Sequence, residues 1–219
     1  MSLSKREELV SELTSFYEFL VGLHLPADAL KRPPPGGWPD INQKELGYLN
    51  KDDDVIDILK HIPYIRRDGP LNPFQIYEKT VCNDFTGTYF ARFGKEYQTI
   101  EATEPFEEEV DSSVATLAKP ESRDGYYIFY HTAEHTMRIV DYQVDEIREA
   151  GVAEFFQTLK NEYRELLVFP VEPESVIMTR RSYADTDQLH DLFRQHGWPT
   201  ADFRKDQCLD AAKKLYDTF

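Results

Sequence analysis

The chain has 219 residues, of which 41% are hydrophobic and 30% charged. That is enough apolar material to bury a core without disulfide or metal staples, and too polar a mixture for a membrane protein. Forty acidic residues against twenty-five basic ones give a formal charge of -15. Such a chain is a poor generic nucleic-acid binder, because lysines and arginines supply the phosphate contacts. It is also repelled by an anionic membrane surface. A basic protein partner, or simple solvation, suits it better.

Leu9, Leu13, Phe16, Leu20 and Leu23 recur at intervals of four and three, which is one face of an amphipathic helix ending before Pro26. Lys5, Arg6, Glu7 and Glu8 leave no room for the apolar run of a signal peptide. No segment reaches the roughly 18 consecutive apolar residues that a membrane span requires. The reading is an intracellular, cytoplasmic protein with no membrane partner. Cys82 and Cys208 are far apart and form no CxxC pair, so they read as reduced thiols of a reducing compartment.

The next stretch, KRPPPGGWP from Lys31 to Pro39, has three consecutive prolines that fix extended backbone and a Gly36-Gly37 pair that permits a turn. Trp38 is the one large apolar side chain there, and its expected role is to plug the loop onto the core. A proline-rich loop carrying an aromatic is also a ligand shape, since its extended form loses little entropy on docking. Asn50 to Asp54 then places acids at the start of a short helix. Val55, Ile56, Leu59 and Ile62 supply its apolar face, and Pro63 stops it.

From Pro73 to Tyr142 the period changes to two. FQIYEKTV, TYFARFG, YQTIEAT, YYIFYHT and TMRIVDY predict about five strands, mostly antiparallel because the links are short. The acidic EPFEEEVD segment reads as a loop or edge, and Val114 to Asp124 as an exposed connection. After Tyr142 the helical period returns. Ile147, Val152, Phe155, Phe156, Leu159, Tyr163, Leu166 and Leu167 predict the longest helix, with a kink at Gly151 and an end before Pro170. Two further helices are expected at Thr186–His196, capped by Asp185, and at Phe203–Tyr216. Helices, then strands, then helices give a single α+β domain over residues 1–219, with a helical extension from about residue 174.

Chemistry-bearing residues are sparse in pattern. His131, Glu134 and His135 cluster, but a hairpin tip need not bring them together as a helix would. Cys82 sits in a strand, TVCNDF, without an evident base. His61, His190 and His196 read as helix-end or surface residues. The sequence has no GxSxG elbow, no GxGxxG, no GxxxxGK(S/T) and no HExxH. No cofactor or metal is therefore expected.

Three stretches resemble a family of fungal proteins that carries no assigned activity. They are RPPPGGWPDI (Arg32–Ile41), DDDVIDILKHIPYI (Asp52–Ile65) and FRQHGWPTADFRKDQCL (Phe193–Leu209). The element order is also similar to that of the SUKH superfamily, which includes the yeast cell-wall-synthesis regulator and bacterial immunity proteins. Those domains usually carry a Leu-Pro before a helix and an Asn-Gly turn. Here LHLPADAL (Leu23–Leu30) leads directly into KRPPPGGWP, and no Asn-Gly follows. The resemblance implies a non-catalytic domain that acts by binding proteins.

The expected function is thus a protein-interaction or regulatory module. Its contact candidates are Pro34, Pro35, Trp38, Tyr64 and the acids Glu107, Glu108 and Glu109, since aromatics anchor interfaces and acids steer basic partners. The alternative is an enzyme or small-ligand binder with a site on the sheet, built from Cys82, His131, Glu134 and His135. Self-association through aromatic strand edges, giving a homo-oligomer, is a third reading.

Overall fold

Ser4 starts the first helix. Its hydroxyl accepts from the Glu7 amide (3.2 Å) while its own amide donates to the Glu7 carboxylate (3.0 Å), a reciprocal capping box. The computed structural model describes residues 4–67, 73–86, 94, 110–121, 124–141, 146–181 and 186–218. Helix α1 (Lys5–Leu23) buries Leu9, Leu13, Phe16, Tyr17, Leu20 and Leu23, the stripe that its spacing predicts. Each such side chain contributes about 1.5–3 kcal/mol of burial free energy.

The chain continues through strand β1 (Leu30–Lys31), a single turn α2 (Gln43–Leu46), helix α3 (Asp53–His61) and strand β2 (Tyr64–Ile65). Strands β1 and β2 pair antiparallel. Six more strands follow: β3 (Gln75–Tyr77), β4 (Thr80–Cys82), β5 (Val114–Pro120), β6 (Tyr127–His131), β7 (Thr136–Asp141) and β8 (Glu146–Gly151). They form one antiparallel sheet in sequential order, a meander. Helix α4 (Val152–Arg164) packs beside α1 on one face of that sheet, with the Phe16 and Phe156 rings 5.6 Å apart. A hairpin of β9 (Val168–Glu172) and β10 (Ser175–Met178) precedes α5 (Thr186–Gln195) and α6 (Lys205–Tyr216).

The α+β class holds, with a central antiparallel sheet and helices before and after it. The sheet has six strands rather than five, and several local expectations change. Val114–Pro120 is not an exposed connection but the central strand β5, buried along nearly its whole length. Its Pro120 sits at the strand end, where a missing amide is tolerated. Residues 146–151 are the strand β8, not the first turn of a helix. Gly151 is the extended residue that starts α4 (φ -60, ψ 156) rather than a kink inside it. Among the described residues the longest helix is consequently α1. The stretch around Pro170 and Pro173 is a hairpin, and FQIYEKTV folds back on itself as β3 and β4. A left-handed Lys79 (φ 46) makes that second turn, held by the Gln75 side chain accepting from the Lys79 amide (3.1 Å). TYFARFG, YQTIEAT and the cap residue Asp185 lie outside the described residues.

One core cluster draws on residues from Leu9 in α1 to Ala212 in α6. On the other face of the sheet Val114, Phe129 and Val140 form a small second cluster.

Candidate functional site

The proline loop is held from below. The Gly37 amide donates to the Pro34 carbonyl (2.9 Å), with Pro35 and Gly36 (φ 88) between them, the type II turn that proline followed by glycine favours. Gly37 itself has φ 84, and a Cβ there would stand 2.6 Å from the Lys60 carbonyl oxygen. The Trp38 amide donates to that same carbonyl (2.8 Å), and the indole N–H donates to the Ile62 carbonyl (2.9 Å). The Lys31 ammonium lies 5.8 Å over the indole while paired with Asp84 at 3.0 Å. Trp38 is half-buried, and Pro34 and Pro35 are exposed on the outer side of the turn.

Tyr64 is not on that surface. It is 1% exposed, its hydroxyl donates to the Leu59 carbonyl (2.6 Å), and its ring lies between those of Trp38 and Phe85. It supports the loop from inside and offers nothing to a partner. Glu107, Glu108 and Glu109 lie outside the described residues.

Of the three residues at the β6–β7 turn, His131 and Glu134 meet, and the left-handed His135 (φ 58) does not join them. The His131 imidazole is 3.4 Å from the Glu134 carboxylate. Burial, with the Arg138 charge adding, holds the His131 imidazole below its ordinary value. His135 faces elsewhere: its Nε2 is 3.0 Å from Glu8 and its Nδ1 is 2.8 Å from the Tyr130 hydroxyl. An ionised carboxylate only accepts, so Nε2–H donates to Glu8, and in a neutral imidazole Nδ1 is then left to accept from Tyr130. A carboxylate–imidazole–hydroxyl chain is an acid–base relay in outline. Here it terminates on a tyrosine that is 1% exposed and whose hydroxyl is pushed up to about 12 by burial, with Glu8 and Asp54 adding to the rise. The chain therefore fastens the hairpin tip to α1, helped by Lys5 donating to the Ala133 carbonyl (3.2 Å).

Cys82 is not part of that group. Its sulfur accepts from the Tyr17 hydroxyl (3.4 Å) on α1, about 13 Å along the helix from Glu8 at 1.5 Å per residue. Burial pushes its thiol up to about 12, and burial does the same to Cys208. Neither can present a thiolate at neutral pH. An aromatic disulfide reagent is expected to leave both thiols unmodified in the folded chain and to titrate two after denaturation. Rapid labelling of one thiol in the native chain would contradict this. Among the described residues, no group of three or more His, Cys, Asp or Glu side chains is placed to hold a metal ion.

The sequence reading missed a cavity of about 290 Å³ between β8, α4 and the β9–β10 hairpin. Arg148, Glu162, Leu167, Val168, Met178, Thr179 and Arg180 line it. Arg148 donates to Glu162 (2.6 Å) and to the Tyr77 hydroxyl (3.1 Å), and Tyr77 donates to the other Glu162 oxygen (2.8 Å). No motif announces this group, because its members come from β3, β8 and α4. A second, shallower groove of about 610 Å³ runs between the ends of α1, β9 and α6, past His24, Glu172 and Lys205.

No protein-family model, curated protein or solved structure matches the chain. No helix among the described residues is long and apolar enough to cross a membrane.

Proposed function

We propose that the chain is a non-catalytic, intracellular protein-interaction or regulatory module of SUKH-like type, docking through the Pro34–Trp38 turn. The observation that carries this reading is the turn itself: two exposed prolines on a backbone fixed by a type II turn, two positive-φ glycines and a hydrogen-bonded tryptophan. A surface already held in one shape loses little conformational entropy on binding, so more of its contact energy appears as affinity. The order of α1, antiparallel sheet and closing helices supports the SUKH-like assignment, and the formal charge of -15 supports a basic partner. The proposal of fungal kinship rests on the resemblance of Arg32–Ile41, Asp52–Ile65 and Phe193–Leu209.

The test compares proteins retained from a fungal lysate by the wild-type chain with those retained by a Pro34→Ser, Pro35→Ser double variant. The double variant is expected to keep its melting temperature and lose a partner reproducibly held by the wild type. Retention of the same proteins by both would end the reading. Gly37→Ala is expected to act on the same partner indirectly. It forces a positive-φ residue against the Lys60 backbone, at about 1–3 kcal/mol of strain, and shifts Trp38 with it. Quenching of Trp38 fluorescence by acrylamide would report that shift.

A further inference from the structure

We infer that the groove between the ends of α1, β9 and α6 is a binding site for a linear aliphatic polyamine, separate from the protein-docking turn. Its volume, about 610 Å³, falls in the middle of the range for small-molecule sites. Phe74, Val171, Pro173 and Leu209 supply apolar lining. Among the described residues the lining also carries four carboxylates, Glu172, Glu174, Asp206 and Asp210, against two ammoniums, Lys205 and Lys213, and so sums to two negative charges. Both ammoniums are engaged: Lys205 donates to the Val21 and Leu25 carbonyls (3.0 Å each), and Lys213 is paired with Glu172. The Arg66 guanidinium, 5.4 Å from the Phe74 ring, is paired with Asp28 (3.2 Å) and leaves this balance unchanged.

Glu174, Asp206 and Asp210 have no ion pair with a described residue. Glu174 is half-buried, and burial, with the Glu172 charge adding, raises its carboxyl above the ordinary value. Asp206 and Asp210 lie one turn apart on α6, where like charges repel. These acids do not gather closely enough to hold a metal ion. A ligand that answers all three carries its positive charge along a chain, with methylenes between the charges to cover the apolar lining. A second observation asks for a hydrogen-bond donor in the same groove. His24 belongs to the lining and is 1% exposed. Its Nε2 donates to the Gln75 carbonyl (3.0 Å), so the polar group its ring can offer the groove is Nδ1, which is buried with no partner. In that tautomer Nδ1 is an acceptor. A buried acceptor left unmade is destabilising, and an ammonium N–H satisfies it. A carboxylate ligand would neither donate to Nδ1 nor tolerate the surrounding acids.

The site is tested by calorimetric titration of the full chain with spermidine at about 0.15 M salt, where charges more than about 8 Å apart are largely screened and the general acidity of the chain counts for little. Pentylamine, with a tail and a single charge, and magnesium chloride, with charge and no tail, are the comparisons. Spermidine is expected to bind saturably at one site in the millimolar range or tighter, and neither comparison is expected to match it. Glu174→Gln with Asp210→Asn, both isosteric, is expected to weaken spermidine about tenfold, the effect of losing two partly exposed ion pairs. Glu154→Gln with Glu165→Gln removes the same charge from exposed positions outside the lining and is expected to leave binding unchanged. The His24 Nδ1 resonance in nitrogen NMR is expected to move toward its hydrogen-bonded position at saturation, a readout independent of the variants. Acetylated, amidated trilysine carries the charge of spermidine on the branches of a peptide and is expected to bind more weakly; tighter binding would hand the groove to a protein segment and overturn the assignment. Equal weakening by both double variants, a match by either comparison, an unmoved His24 Nδ1 at saturation, or no saturable spermidine binding at millimolar concentration would each overturn it as well.

Discussion

Phe193→Ala is expected to lower the stability of the whole chain by about 3–5 kcal/mol, in a single transition. Phe193 is fully buried in α5, 5.9 Å from the Phe169 ring of β9 and stacked 6.1 Å from Phe203 ahead of α6. Truncation leaves a ring-sized void where three elements meet. The neighbouring Trp198 carries the contact further inward. Its indole donates to the Tyr163 carbonyl at the end of α4 (3.0 Å), and its ring lies 5.7 Å from Phe19 of α1. A segment joined in this way to the first and fourth helices should not melt by itself. Urea unfolding followed by far-ultraviolet circular dichroism and by tryptophan fluorescence tests the point. Coincident curves shifted together by Phe193→Ala are the expected result. A substitution that moves an early, separate step and leaves the main transition in place would show that residues from about 174 onward form an independent extension.

Acid should destabilise the chain through His24. The residue follows α1, is 1% exposed, and donates from Nε2 to the Gln75 carbonyl (3.0 Å), leaving Nδ1 buried without a partner. Burial holds its imidazole down at about 4, and the nearby Lys205 ammonium adds to that, against the raising effect of the Gln75 carbonyl. In the unfolded chain the same group titrates near 6.5. Between those two values the unfolded state binds the extra proton, so stability is full above about 6.5 and falls as the pH drops toward 4. The span corresponds to about 3 kcal/mol. The expected outcome is a urea midpoint that drops through this window in the wild type and drops less in His24→Gln, whose side chain can still donate to the Gln75 carbonyl. Parallel pH profiles for the two proteins would show that His24 does not titrate in this way.

How far the sequence leads depends on where each signal comes from. The α1 stripe is readable because its period and its terminating Pro26 agree. The β6–β7 hairpin is readable because alternation and turn residues agree. Ile147 misleads because it is spaced like a helix-face residue, yet it sits on β8 at the edge of the sheet with 59% of its surface exposed. Val114–Pro120 misleads because Pro120 and the Ser122–Gly125 stretch look like turn material, while the preceding VATLA run is short and apolar enough for a buried strand. Among site residues, Trp38 could be placed from composition, since it is the one large apolar group in its loop. Tyr64 could not be told from an exposed aromatic, because its burial comes from packing against Trp38 and Phe85. The cavity was invisible for a stronger reason. Tyr77, Arg148, Glu162 and Arg180 are scattered over more than a hundred positions, and Tyr77 and Arg148 come from β3 and β8, the two edges of the meander, which meet through their hydrogen bond.

The cover on α1 comes late in the chain. Phe16 waits for Phe156, and the Val21 and Leu25 carbonyls wait for the Lys205 ammonium, which reaches each at 3.0 Å. At ordinary translation speeds roughly 10 to 40 seconds separate the emergence of residue 23 from that of residue 205. For most of that interval the apolar stripe running from Leu9 to Leu23 has left the ribosome without Phe156 and its other late neighbours. Nascent chains arrested before residue 152 should therefore be sticky intermediates with an uncovered helix, held soluble by chaperones, rather than shorter folded proteins.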